Sequence, residues 1–95
     1  MAKAPEDKYY TNVMLAQSAD LLLTLKGIEC SFAIGYLEEG KVGISARSLG
    51  NINVQLIMEE LGGGGHLANA ATQIEGINLD EALDRLNDAI DKILS

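Results

Sequence analysis

Ninety-five residues of 47% hydrophobic content suffice for one compact domain and leave no polar stretch to join two. Fourteen acidic residues against seven Lys and Arg give a formal net charge of −7, which excludes a surface that grips long double-stranded nucleic acid through clustered cations; a small anion held at one local site stays compatible. Cys30 is the only cysteine, so an intrachain disulfide and a paired-cysteine metal site are both excluded, a usage that fits a reducing, cytoplasmic compartment, and no apolar run approaches the roughly 20 residues that span a bilayer.

In chain order, residues 1–12 are polar, carry the single proline, Pro5, and read as an irregular lead-in, with one domain over residues 13–95. Thr11 or Asn12 can cap a first helix, in which Leu15, Ala19, Leu22 and Leu23 recur at helical spacing before a stop at Gly27. From Ile28 to Leu37 the period becomes two: Cys30, Phe32, Ile34 and Tyr36 share one strand face, which predicts a buried thiol at Cys30. Glu39 and Gly40 turn the chain into a second strand with Val42, Ile44 and Ala46 on one side and Ser45 and Arg47 on the other, a hairpin pattern.

Gly50 and Asn51 end that strand, and Asn53 can cap a short helix carrying Val54, Ile57, Met58 and Leu61. Four glycines, Gly62 to Gly65, lead to His66 and the small residues Ala68, Asn69, Ala70 and Ala71, after which Thr72 to Glu75 reads as a strand. Asn78 and Glu81 open a last helix with Leu79, Leu83, Leu86, Ile90 and Ile93 on one stripe and Asp80, Asp84, Asp88 and Asp91 facing away. The predicted class is α/β (α+β): a small mixed β-sheet flanked by helices.

Consecutive glycines are costly to order, and their bare N–H groups can converge on an anion, with His66 as a further donor; a flexible joint is the alternative. Neither the nucleotide-triphosphate loop nor the Rossmann fingerprint fits, because no Lys-Ser or Lys-Thr follows the run and a helix, not a strand, precedes it. Arg47 offers a planar fork for phosphate, or an ion pair with a carboxylate. Ser48, Asn51 and Asn53 are phosphate contacts or turn and cap residues. His66 is the sole histidine, and the carboxylates form no metal-ligand pattern, so no cofactor is expected on this chain.

The stretch Ile44-Ser-Ala-Arg-Ser-Leu-Gly-Asn-Ile-Asn-Val-Gln, then Ile57-Met-Glu-Glu-Leu-Gly-Gly-Gly-Gly-His, with Asn69-Ala-Ala, closely resembles the DHH-associated domain of GdpP-like cyclic di-AMP phosphodiesterases in the Asp-His-His phosphoesterase superfamily. The resemblance runs from about Val13 to the end of the last helix. It implies a partner Asp-His-His domain in the same parent chain, holding two manganese ions, and hydrolysis of cyclic di-AMP to 5′-pApA by metal-hydroxide attack. No Asp-His-His run occurs here, so the resemblance makes this the substrate-binding part, inactive alone and without a catalytic residue of its own.

The resemblance places substrate contacts at Arg47, Ser48, Gly63, Gly64, Gly65, His66 and Asn69, while Thr72 stands where many relatives have glycine. It further implies a parent anchored in the membrane with this domain on the cytoplasmic side, and is compatible with a homodimer. A short oligonucleotide as substrate, and a stand-alone nucleotide- or nucleic-acid-binding module, remain alternatives.

Overall fold

The computed structural model describes residues 2–3, 9–24 and 29–94. Pro5, the expected helix stop at Gly27 and the expected strand start at Ile28 lie outside them. The sheet has six strands, β1 (Ala2–Lys3), β2 (Tyr9–Tyr10), β3 (Cys30–Leu37), β4 (Lys41–Ser48), β5 (Gly64–His66) and β6 (Asn69–Glu75), in the order β1-β3-β4-β6-β5, with β2 also on β3. β1 and β2 run parallel to β3, whereas β3, β4, β6 and β5 pair antiparallel. The mixed α/β class holds, but the lead-in is not wholly irregular: four of its residues extend the sheet on the outer edge of β3.

The sheet separates two layers of helix. Its even-numbered face on β3 and β4 (Phe32, Ile34, Val42, Ile44 and Ala46) builds the main core with α2 (Val54–Glu60) and α3 (Leu79–Leu94), through Val54, Ile57, Met58, Leu79, Ala82 and Leu86. The odd-numbered face is small-residued, and α1 (Asn12–Leu23) lies against it, burying Leu15 and Ala19 over Ala33 and Leu37. Gly43 makes that approach feasible, since a Cβ there would stand 2.8 Å from Leu15 Cδ1 and 2.9 Å from Leu37 Cδ1. The Ser31 hydroxyl donates to the Ala19 carbonyl at 2.5 Å, fastening the far end of α1 to β3.

The helix starts follow capping chemistry. Thr11 Oγ1 accepts from Met14 N at 3.1 Å, Asn53 Oδ1 from Leu56 N at 3.3 Å and Asn78 Oδ1 from Glu81 N at 2.7 Å, each satisfying an N–H that the first helical turn leaves unpaired. In α3, Leu83, Ile90 and Ile93 are only partly buried, while Ala82 and Ala89 join the buried stripe because their small side chains allow the helix to lie close to the sheet. Cys30 is half-buried where full burial was predicted, since it opens its strand at the sheet's end. Among the described residues no helix is long and apolar enough to cross a membrane.

Candidate functional site

The glycine run has two jobs. Gly62, with φ of 85°, closes α2: its N–H donates to Glu59 O at 3.1 Å and the Gly63 N–H to Met58 O at 2.8 Å, the crossed pair of bonds that ends a helix in a left-handed residue. Gly64 to His66 then form β5, whose partners on β6 are Ala71, Ala70 and Asn69. The expected loop is thus half a hairpin, and the strand expected from Thr72 begins at Asn69. Period-two alternation is invisible in glycine, which is why the pairing escaped the sequence reading.

Strand pairing gathers the predicted residues. His66 pairs with Asn69, Asn69 with Arg47 and Arg47 with Ser31, so the four stand in one row across four strands, their side chains on the α1 face. At about 4.8 Å per strand, His66 and Arg47 are roughly 10 Å apart along the backbone, with Asn69 between them. The neighbouring row, Gly64, Ala71, Ser45 and Ala33, is made only of small residues. Because α1 covers β3 and β4 but stops short of β6, His66, Asn69 and Ala71 are exposed. The result is an open shelf with a floor of small side chains and a polar row at one end.

Three glycines shape that shelf differently. A Cβ on Gly63 would run into the Ala71 carbonyl oxygen and, at 2.5 Å, Thr72 Cβ; on Gly65, with φ of 145°, it would sit 2.5 Å from both Ala70 Cα and Asn69 O. Gly64 has no atom within 4 Å of its missing Cβ, so nothing in the fold itself demands glycine there. Thr72 serves the fold, since its buried hydroxyl donates to Leu61 O at 3.0 Å and satisfies a carbonyl at the end of α2.

Arg47 is largely buried, with 13% of its side chain exposed, and it is held at two points. Nε lies 2.7 Å from Asp20 Oδ1 on α1, an ion pair, and Nη1 donates to the Ala46 carbonyl at 2.9 Å, while Nη2 makes no hydrogen bond among the described residues. Ser48 is not brought to the row: as the next residue along the strand it points to the opposite face, is 6% exposed, and accepts from Gly50 N at 3.0 Å and Ile52 N at 3.4 Å. It shapes the turn that carries Asn51 and Asn53. Backbone bonds from Ser48 N to Ala68 O and from Val54 N to Leu67 O tie that turn to the β5–β6 hairpin.

Sequence reasoning missed Asp20. An acid in the last turn of a helix opposes the macrodipole, which was the available signal that it had a partner elsewhere. Two shallow cavities, of about 290 Å³ beside Glu60, Arg85 and Lys92 and about 340 Å³ beside Tyr9, Asn12 and Lys41, lie away from the polar row. The row is open shelf rather than pocket, a geometry that leaves one side of any ligand uncovered.

The family model described as the DHHA1 domain matches residues 2–94. The chain is 56% identical over 87 residues to the cyclic-di-AMP phosphodiesterase GdpP of Bacillus subtilis, covering 92% of this chain and 13% of that protein. It is 50% identical over 91 residues to the cyclic-di-AMP phosphodiesterase PdeA of Listeria monocytogenes, covering 96% of this chain and 14% of the other. Among solved structures, an exopolyphosphatase-related protein from Bacteroides fragilis superposes with a TM-score of 0.69 at 27% identity, over 78% of this chain and 22% of that one. The chain therefore spans about one seventh of the curated relatives it matches.

Proposed function

The chain belongs to the DHHA1 domain family, and on that premise we propose that it is the substrate-gripping domain of a phosphodiesterase that opens cyclic di-AMP to linear 5′-pApA. The observation that carries the reading is the single row of His66, Asn69 and Arg47 beside a small-residue floor. Arg47 Nη2 and the His66 ring donate to phosphate oxygens, Asn69 adds an amide between them, and the bare backbone at Gly64 lets the nucleotide lie close. The Gly63 and Gly65 backbone holds the hairpin that presents the last three.

The manganese implied by the family resemblance is assigned to another domain, not to residues of this chain. In the proposal the metals, and with them the bond cleavage, belong to an Asp-His-His domain of the parent, with this domain on the cytoplasmic side of a membrane-anchored protein. What these residues contribute is orientation. They neutralise phosphate charge and fix the dinucleotide so that one phosphodiester faces the other domain.

The test is to titrate the isotope-labelled chain with cyclic di-AMP and then 5′-pApA while following the amides of Arg47 and residues 64–69. Concerted shifts that vanish in His66→Ala and Arg47→Ala are expected. Unmoved resonances at millimolar ligand in the wild-type chain would sink the reading of these residues as a grip.

A further inference from the structure

Arg47 is held from outside its own strand. Its Nε lies 2.7 Å from the Asp20 carboxylate of α1, its Nη1 donates at 2.9 Å to the carbonyl of its neighbour Ala46, and only the Nη2 edge is left over. An arginine side chain anchored at two of its three nitrogens has surrendered its rotamer freedom before any ligand arrives. The anchoring carboxylate also stands where a helix disfavours it, in the last turn of α1, a segment without a basic residue to offset it. The Ser31 hydroxyl holds the Ala19 carbonyl, immediately before Asp20, so α1 cannot slide along the sheet without breaking both contacts.

We infer that Asp20 is a positioning residue for anion binding, fixing the Arg47 fork so that Nη2 points along the His66–Asn69 row. This rests on the reading of Arg47 as a phosphate contact. On that basis α1, which carries none of the residues matched to the family motif, is the third element of the site after β4 and the β5–β6 hairpin. The carboxylate has two opposing effects on an arriving phosphate: it orients the arginine and it repels the anion. The two separate by substitution. Asparagine keeps a polar oxygen beside Nε and removes the charge, whereas alanine removes both.

A side chain that is loose in the free protein must be immobilised on binding, so Asp20→Ala weakens cyclic di-AMP binding by about fivefold, or about 1 kcal/mol. Asp20→Asn binds at least as tightly as the wild-type chain. The experiment is calorimetric titration of this chain and its Asp20→Ala, Asp20→Asn and Arg47→Ala variants with cyclic di-AMP, alongside the proton-exchange rate of the Arg47 Nε–H without ligand. Slow exchange in the wild type and the asparagine variant, with fast exchange in the alanine variant, is expected.

Tighter binding in both Asp20 variants makes the carboxylate a competitor and overturns the inference, as does unchanged binding in Asp20→Ala or an Nε–H that exchanges as rapidly as in an unstructured arginine. Undiminished binding in Arg47→Ala, or none in the wild type, instead removes the proposed phosphate contact, and the inference goes with it.

Discussion

Alanine scanning of the glycine run separates what the fold demands from what a ligand demands. At Gly63 the obstacles to a methyl group are the Ala71 carbonyl oxygen and the Cα and Cβ of Thr72, atoms fixed to the backbone of a strand paired on both sides that no rotamer change can move aside. Overpacking of that kind costs about 3 kcal/mol, which for a domain of this size lowers the melting midpoint by about 15 °C. Gly65→Ala fares no better, because it adds a left-handed φ of 145° to the clash. Gly64→Ala meets nothing within 4 Å, so its stability stays within about 0.5 kcal/mol of wild type.

The same methyl projects from the shelf beside His66 and Ala71, where the proposed ligand lies against bare backbone. It therefore weakens cyclic di-AMP binding by about tenfold, or about 1.4 kcal/mol. Thermal unfolding by circular dichroism and calorimetric titration read the two effects separately. Wild-type affinity in Gly64→Ala would refute the close approach of ligand to backbone, and a Gly63→Ala chain that melts with the wild type would refute the packing argument.

Ser48→Ala removes the acceptor for two turn N–H groups and is expected to cost about 1–2 kcal/mol of stability, while the folded variant keeps its affinity for cyclic di-AMP; denaturant melts and the same titration check both halves. Burial pushes the Cys30 thiol above its usual pKa, so the folded chain favours the neutral form. That contribution is fully present below the unfolded thiol value of about 8.5 and is lost as pH rises through the folded value, so stability falls in alkaline solution by an amount that Cys30→Ala abolishes. Alkylation of Cys30 at neutral pH is correspondingly slower than that of an unfolded-chain thiol, as timed mass spectrometry would record.

Where periodicity and capping agree, the fold was legible in the residues themselves. Asn78 with the stripe beginning at Leu79 marks α3, Asn53 with Val54, Ile57 and Met58 marks α2, and the alternation through Phe32–Tyr36 and Val42–Ala46 marks the central hairpin. β1 and β2 were not legible, since two-residue pairings carry no pattern, and β5 was hidden because glycines have no side chains to alternate. The polar row was half legible: the residue types of Arg47, His66 and Asn69 drew attention, but only the register of β4, β6 and β5 puts them side by side. Strand alternation opposes Arg47 to Ser48, although the resemblance placed both at the substrate, and the Arg47–Asp20 pair, 27 positions apart, is a product of tertiary packing.

The layered arrangement also reconciles an acidic chain with a site for phosphate. Asp80, Asp84, Asp88 and Asp91 lie exposed on α3, and α3 packs against the even-numbered face of the sheet, while Arg47, His66 and Asn69 project from the other face. A layer spacing of about 10 Å and a helix radius of about 5 Å put those carboxylates about 15 Å or more from the row, beyond the roughly 8 Å over which exposed charges act at physiological salt. Asp20 does reach the row, and its charge is matched by the arginine it pairs with. Part of the net charge of −7 therefore sits on the solvated back of the domain, on α3, and what a dinucleotide would meet is set by a few donors on the front.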